Sequence, residues 1–185
     1  MAVQVQRKMT VQEFDRWVEL PEQSDKLYEY IGGEIIEVPS NAKASQLSSR
    51  FIIRIGVYVE EHELGHITGE AGGYMIDGER YAPDVAFVSK ARQTELDERG
   101  YNRVPPDLAV EVDFPSTPTS HRQLQVKLWH YMQVGTVVWI AYPEDKTVVV
   151  HVPGQPPKIF GFNDTLDGGD FLPGFTLALK DIFRE

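Results

Sequence analysis

The chain has 185 residues, 42% hydrophobic and 25% charged, with a formal net charge of −10 and no cysteine. That length suits one domain over 1–185 with room for a sizeable core. The missing cysteine excludes disulfides, thiolate metal sites and cysteine nucleophiles. No run of about 20 apolar residues could cross a membrane, the start lacks the apolar stretch of a secretion signal, and a cytoplasmic protein is expected. The acidity argues against a generally basic nucleic-acid binder. It leaves open an enzyme that meets nucleic acid through a local patch and a divalent metal.

The segment MTVQEFDRWVELP predicts a short helix, with Thr10 as its cap, Glu13 at the capping-box position and Pro21 at its end. LYEYIGGEIIEVP reads as two short strands turning at Gly32 and Gly33. In ASQLSSRFIIRIGVYVEEHELG, Leu47, Phe51, Ile55 and Val59 recur every four residues, the pattern of an amphipathic helix, with a stop expected near Gly65. Three strand candidates follow: HITGEAGGYMI, YAPDVAFVS and PDLAVEVDF. The charged stretch KARQTELDERGYNRVP lies between the last two and is expected to be exposed, with some helical character. SHRQLQVKLWHYMQVG is a further helix, with Leu124, Leu128 and Tyr131 along its stripe and Gly135 as its stop. TVVWIAYP and TVVVHVP form a hairpin, and the tail gives a turn, a short strand and a helical turn. Apolar strands flanked by amphipathic helices predict an α/β (or α+β) fold with a mixed central sheet.

Glu111 is the odd residue. It sits in the middle of LAVEV, a strand apolar enough to be buried on both faces, where a charge is costly unless it is paired or holds a metal. Asp113 follows on the same side of the pleat. Asp84 stands after a proline at the entry to another apolar strand. Carboxylates that converge repel each other unless a cation lies between them, and oxygen-only ligands favour Mg²⁺ or Mn²⁺. Asp107, after Pro106, reads as a strand-entry residue. At about 100° per residue, Leu128 and Tyr131 fall within about 40° of Leu124, and Lys127 lies about 60° away. Lys127 is thus on the shoulder of the apolar face. It either reaches toward the sheet or snorkels to solvent. The five histidines, His62, His66, His121, His130 and His151, show no zinc spacing. Gly72-Gly73 and Gly168-Gly169 read as turns, not as a phosphate-cradling loop.

In order and spacing, MTVQEFDRW, YEYIGGEIIEVP, APDVAFVS, PPDLAVEV with PST, KLWHYMQVGTVVWIAYPED and DFLPGFTLALKDIF resemble the bacterial restriction-endonuclease-like family of the PD-(D/E)XK nuclease superfamily. The resemblance covers nearly the whole chain. It implies an αβββαβ core with an extra hairpin at each end, Asp84 and Glu111 as metal ligands for Mg²⁺ or Mn²⁺, and DNA as substrate. In the superfamily tripeptide a lysine stands two residues after the acid. Asp113 holds that place here, and the resemblance puts the lysine on the following helix at Lys127. Glu34 matches an acid kept beside the site, where the resemblance gives it a supporting role, either as an additional metal ligand or as a group that orients a neighbour. Ala44 stands where relatives commonly carry a histidine, and Asp113-Phe114 replaces an apolar residue and a serine. The function implied is a metal-dependent endonuclease, by analogy a homodimer, with basic residues such as Arg122 meeting phosphates. The alternative is a nuclease-fold protein of little or no activity that serves as a binding or regulatory module. A two-carboxylate glycosidase has only the pair of acids in its favour.

Overall fold

The computed structural model describes residues 4–5, 9–38, 41–114 and 118–184. Residues 115–117, the PST of the family motif, lie outside these. Helix α1 (Val11–Val18) is capped by Thr10, with Glu13 closing a reciprocal capping box. A two-residue strand, β1 (Gln4–Val5), borders the hairpin β2 (Tyr28–Ile31) and β3 (Glu34–Glu37), which turns at Gly32 and Gly33, both at positive φ. Helix α2 (Ala42–Glu61) buries Leu47, Phe51, Ile55 and Val59 as the spacing predicts. It ends earlier than expected. Glu63 takes φ 52°, and Gly65 already opens the next strand, where a β-carbon would overlap the carbonyl oxygen of Val88.

The strand candidates after α2 divide at their glycines and at proline. HITGEAGGYMI becomes β4 (Gly65–Gly69) and β5 (Tyr74–Ile76), which belong to different sheets. YAPDVAFVS divides into the end of β6 (Glu79–Tyr81) and β7 (Val85–Ser89), so the chain passes from one sheet to the other at Ala82-Pro83-Asp84. Residues 90–104 are not helical. Asn102 is buried among turns, its Oδ1 accepting from Asp97 N at 3.0 Å, while Asp97 Oδ2 accepts from Arg103 N at 2.8 Å. Local side-chain bonds to the backbone compete with a helix here.

Strand β8 (Leu108–Val112), helix α3 (Pro118–Gln133) and strand β9 (Val137–Tyr142) form a parallel crossover. Strands β10 (Thr147–His151) and β11 (Lys158–Phe160) extend the sheet. The small pair β12 (Thr165–Asp167) and β13 (Thr176–Ala178) precedes a last helical turn over Leu179–Asp181. One sheet runs β1-β3-β2-β6-β5 and the central one β11-β10-β9-β8-β7-β4, mixed as expected because only β8 and β9 are parallel within it. No helix among the described residues is long and apolar enough to cross a membrane.

Alternation along the central strands sends side chains to two cores. Val85, Phe87, Leu108, Val110 and Trp139 meet α2 and the C-terminal segment. Ala86, Val88, Ala109, Val138 and Ile140 meet α3 and residues of the hairpin sheet. Helix α1 covers the opposite face of that sheet through Phe14 against Tyr28, Tyr30 and Ile35. The hairpin sheet is therefore covered on both sides, and its inner face closes over the strand that carries Glu111.

Candidate active site

Strands β7 and β8 pair antiparallel through Val85↔Val110. Continued by one residue, that register sets Asp84 opposite Glu111. The join is fixed by a hydrogen bond, Val112 N donating to Asp84 Oδ2 at 2.6 Å. Helix α3, which follows β8, brings Lys127 over the same face. Its Nζ donates to Glu111 Oε2 at 3.0 Å and lies 2.8 Å from Oε1, and Tyr131 donates its hydroxyl to Glu111 Oε1 at 3.1 Å. Lys127 also donates to Glu29 Oε1 at 2.8 Å, and that oxygen accepts from Ala82 N at 2.8 Å. Glu29 comes from β2, in the other sheet. Glu29, Glu111 and Lys127 keep only 6%, 8% and 7% of their surface.

Burial dominates the acid chemistry. It pushes the carboxyl of Glu111 up to about 7; Lys127 pulls the other way, while Asp84 and Glu29 push it up further. Burial likewise raises Asp84 to about 6, against the Val112 amide and the Lys127 charge. Burial disfavours the Lys127 ammonium too, but the charges of Glu111 and Glu29 outweigh it and hold the lysine above its usual range. Lys127 thus stays a cation inside the protein, near the face of the Tyr81 ring, whose hydroxyl is buried without a hydrogen-bond partner among the described residues.

The three principal sequence candidates, Asp84, Glu111 and Lys127, are brought together. Glu34 opens β3 opposite Ile31, at the hairpin turn, whereas Glu29 is the hairpin acid that bonds Lys127. Asp113 lies just beyond β8. Its Oδ2 is buried without a hydrogen-bond partner among the described residues, its carboxyl is pushed up by burial and drawn down by His121, and its charge adds to the burial that raises Tyr142. Asp107 is structural, as read: it accepts from Ser89 N at 2.7 Å and pairs with Arg92. Ala44 lies in the first turn of α2, and Arg122 is exposed on α3.

Asp84 also lines a cleft of about 280 Å³ with Ser45, Ser48 and Ser49 of α2 and the turn Gly69 to Gly72. Among the described residues, no three His, Cys, Asp or Glu side chains converge to hold an ion unaided. Two adjacent oxygen-only acids, one raising the proton affinity of the other, nevertheless fit a magnesium-type ion. Such an ion takes one or two protein carboxylates and fills its shell with water and phosphate oxygens.

The family model described as "Uma2: Putative restriction endonuclease" matches residues 11–180. Among solved structures the chain is similar to a "putative nuclease belonging to DUF820" from Anabaena variabilis, with 24% identity and a TM-score of 0.78, over 95% of this chain and 97% of that one. At that identity the likeness is one of fold. No curated protein matches the chain.

Proposed function

The chain belongs to the Uma2 family of restriction-endonuclease-like proteins, and from that premise we propose that it is an endonuclease that hydrolyses DNA phosphodiester bonds with Mg²⁺ or Mn²⁺. The observation that carries the reading is the buried lysine shared by two acids, one of them facing Asp84 across a strand pair. Asp84 and Glu111 would hold the ion. When bound, it supplies a Lewis acid and a water of lowered pKa.

The rest falls to side chains. Lys127, kept charged and aimed by its acids, stabilises negative charge developing on the phosphate and orients the attacking water. Tyr131 holds the Glu111 carboxylate in place through its hydroxyl. The hairpin sheet and α3 exclude bulk water from this face, and DNA approaches through the cleft at Asp84, where the site is least covered. Glu34 supports the site from the hairpin turn, and Arg122 meets phosphates from the open side of α3. A homodimer is the assembly that cutting two strands calls for.

The test is cleavage of plasmid, linear and single-stranded DNA with Mg²⁺ or Mn²⁺, run beside Asp84→Ala and Lys127→Ala. The wild type cuts at least one form, and each variant loses on the order of a hundredfold or more in kcat. A wild type that cuts none of them, or variants that cut as well as it does, overturns the proposal. A second reading, a binding or regulatory module, is favoured by one observation: Glu29 and Glu111 both already occupy Lys127. Calorimetry with Mn²⁺ separates the two, since the module gives no saturable binding that depends on Asp84 and Glu111.

A further inference from the structure

Lys127 is balanced by Glu111 alone, so charge neutrality does not call for Glu29. A second carboxylate in the same buried cluster adds uncompensated negative charge, which burial makes costly. An amide at position 29 would still accept from Ala82 N and would bury no charge, but its oxygen would hold the Lys127 ammonium more weakly than a carboxylate does. The acid at 29 does more than fill space.

Its geometry shows what that is. One oxygen, Oε1, accepts from both Lys127 Nζ and Ala82 N, each at 2.8 Å. Ala82 lies two residues before Asp84, at the point where the chain changes sheets. Glu29 therefore ties the ammonium and the Asp84 segment to a single atom on β2. A lysine ammonium has three donors. One goes to Glu29 and one to Glu111, from the two sheets, which leaves the third with a fixed direction.

We propose that Glu29 is a positioning residue of the nuclease site, holding the Lys127 ammonium and the Asp84 segment in a common geometry through one carboxylate oxygen. This rests on the nuclease reading above. Glu29 touches neither substrate nor ion in this scheme. It acts through Lys127, and a misplacement of about 1 Å in such a group costs up to a hundredfold.

The experiment is a double-mutant cycle on Mg²⁺-dependent cleavage of one DNA substrate, using Glu29→Gln, Lys127→Ala and the pair. Glu29→Gln keeps the shape and a hydrogen-bond acceptor. It lowers kcat roughly ten- to hundredfold and leaves KM within about twofold. In the Lys127→Ala background the same change alters kcat less than about twofold, because the ammonium is gone and the amide oxygen still accepts from Ala82 N. Glu29→Ala, which loses both bonds, falls further than Glu29→Gln; if it fails to fold, the glutamine variant alone carries the test, with its melting curve confirming a native state. A wild-type kcat in Glu29→Gln, or losses that multiply in the double variant, overturns the role of Glu29 and leaves the nuclease reading standing. A wild type that cuts nothing overturns the nuclease reading and this role with it.

Discussion

Asp84 and Glu111 hold their protons more tightly in the fold than in an unfolded chain, where they would titrate near 3.8 and 4.5. Their folded values are raised to about 6 and about 7. The native state therefore binds more protons than the unfolded state across that window. Stability from these two groups is fully present below about pH 4 and falls as pH rises through 7. In chelator, the urea midpoint should be lower at pH 8 than at pH 5. Asp84→Asn removes one of the two penalties, so its midpoint exceeds the wild type's at pH 8 by up to about 3 kcal/mol of stability, and the difference vanishes near pH 4. Glu111 was legible in the sequence because it breaks a pattern, an acid among valines, whereas the shoulder position of Lys127 left two directions open and the family resemblance chose between them. Glu29 breaks none. In YEYI it alternates with tyrosines, as a solvent-facing acid would. Only the covering of both faces of the hairpin sheet, Tyr28 and Tyr30 under α1 and Ile31 toward the central sheet, turns Glu29 inward.

At the scale of elements, the helices followed their caps and stripes, while the strands from 66 to 89 did not follow their apolar runs. APD hides a change of sheet because buried Tyr81 and Ala82 before it and Val85 to Val88 after it read as one apolar run, although they serve different sheets. The 90–104 segment has a helix-like density of charge but spends its side chains on turns. The α2 helix has a local consequence. Its Ser49 is exposed at the rim of the cleft that Asp84 lines. Ser49→Trp would fill that cleft without touching the core. We expect DNA cleavage to fall at least about tenfold, while the melting temperature moves by no more than about 2 °C, the range of a surface substitution in a chain of this size. Steady-state cleavage and a thermal melt on the same sample check both halves.

Over the whole molecule the charge of −10 opposes a polyanion. DNA affinity measured by fluorescence anisotropy should therefore be weak in chelator and rise at least about tenfold with Mg²⁺ or Ca²⁺, with a shallower salt dependence than a basic nuclease shows. Asp84→Asn and Glu111→Gln should each blunt the rise. The mixed sheet and the order of the helices and outer strands could be read from the sequence because hydrophobic period and turn residues set them locally. The meeting of two sheets over one lysine could not, since it depends on contacts between residues far apart in the chain. That meeting divides the site in a particular way. A chain opened within residues 90–104 gives an amino-terminal half that carries Glu29 and Asp84 and a carboxy-terminal half that carries Glu111, Lys127 and Tyr131. The second half contains its own counter-ion, whereas the first is left with two acids while its buried Arg80 is taken by Asp15. Reconstitution would be one-sided: the amino-terminal half needs its partner as a template, and Lys127 is the charge it assembles around.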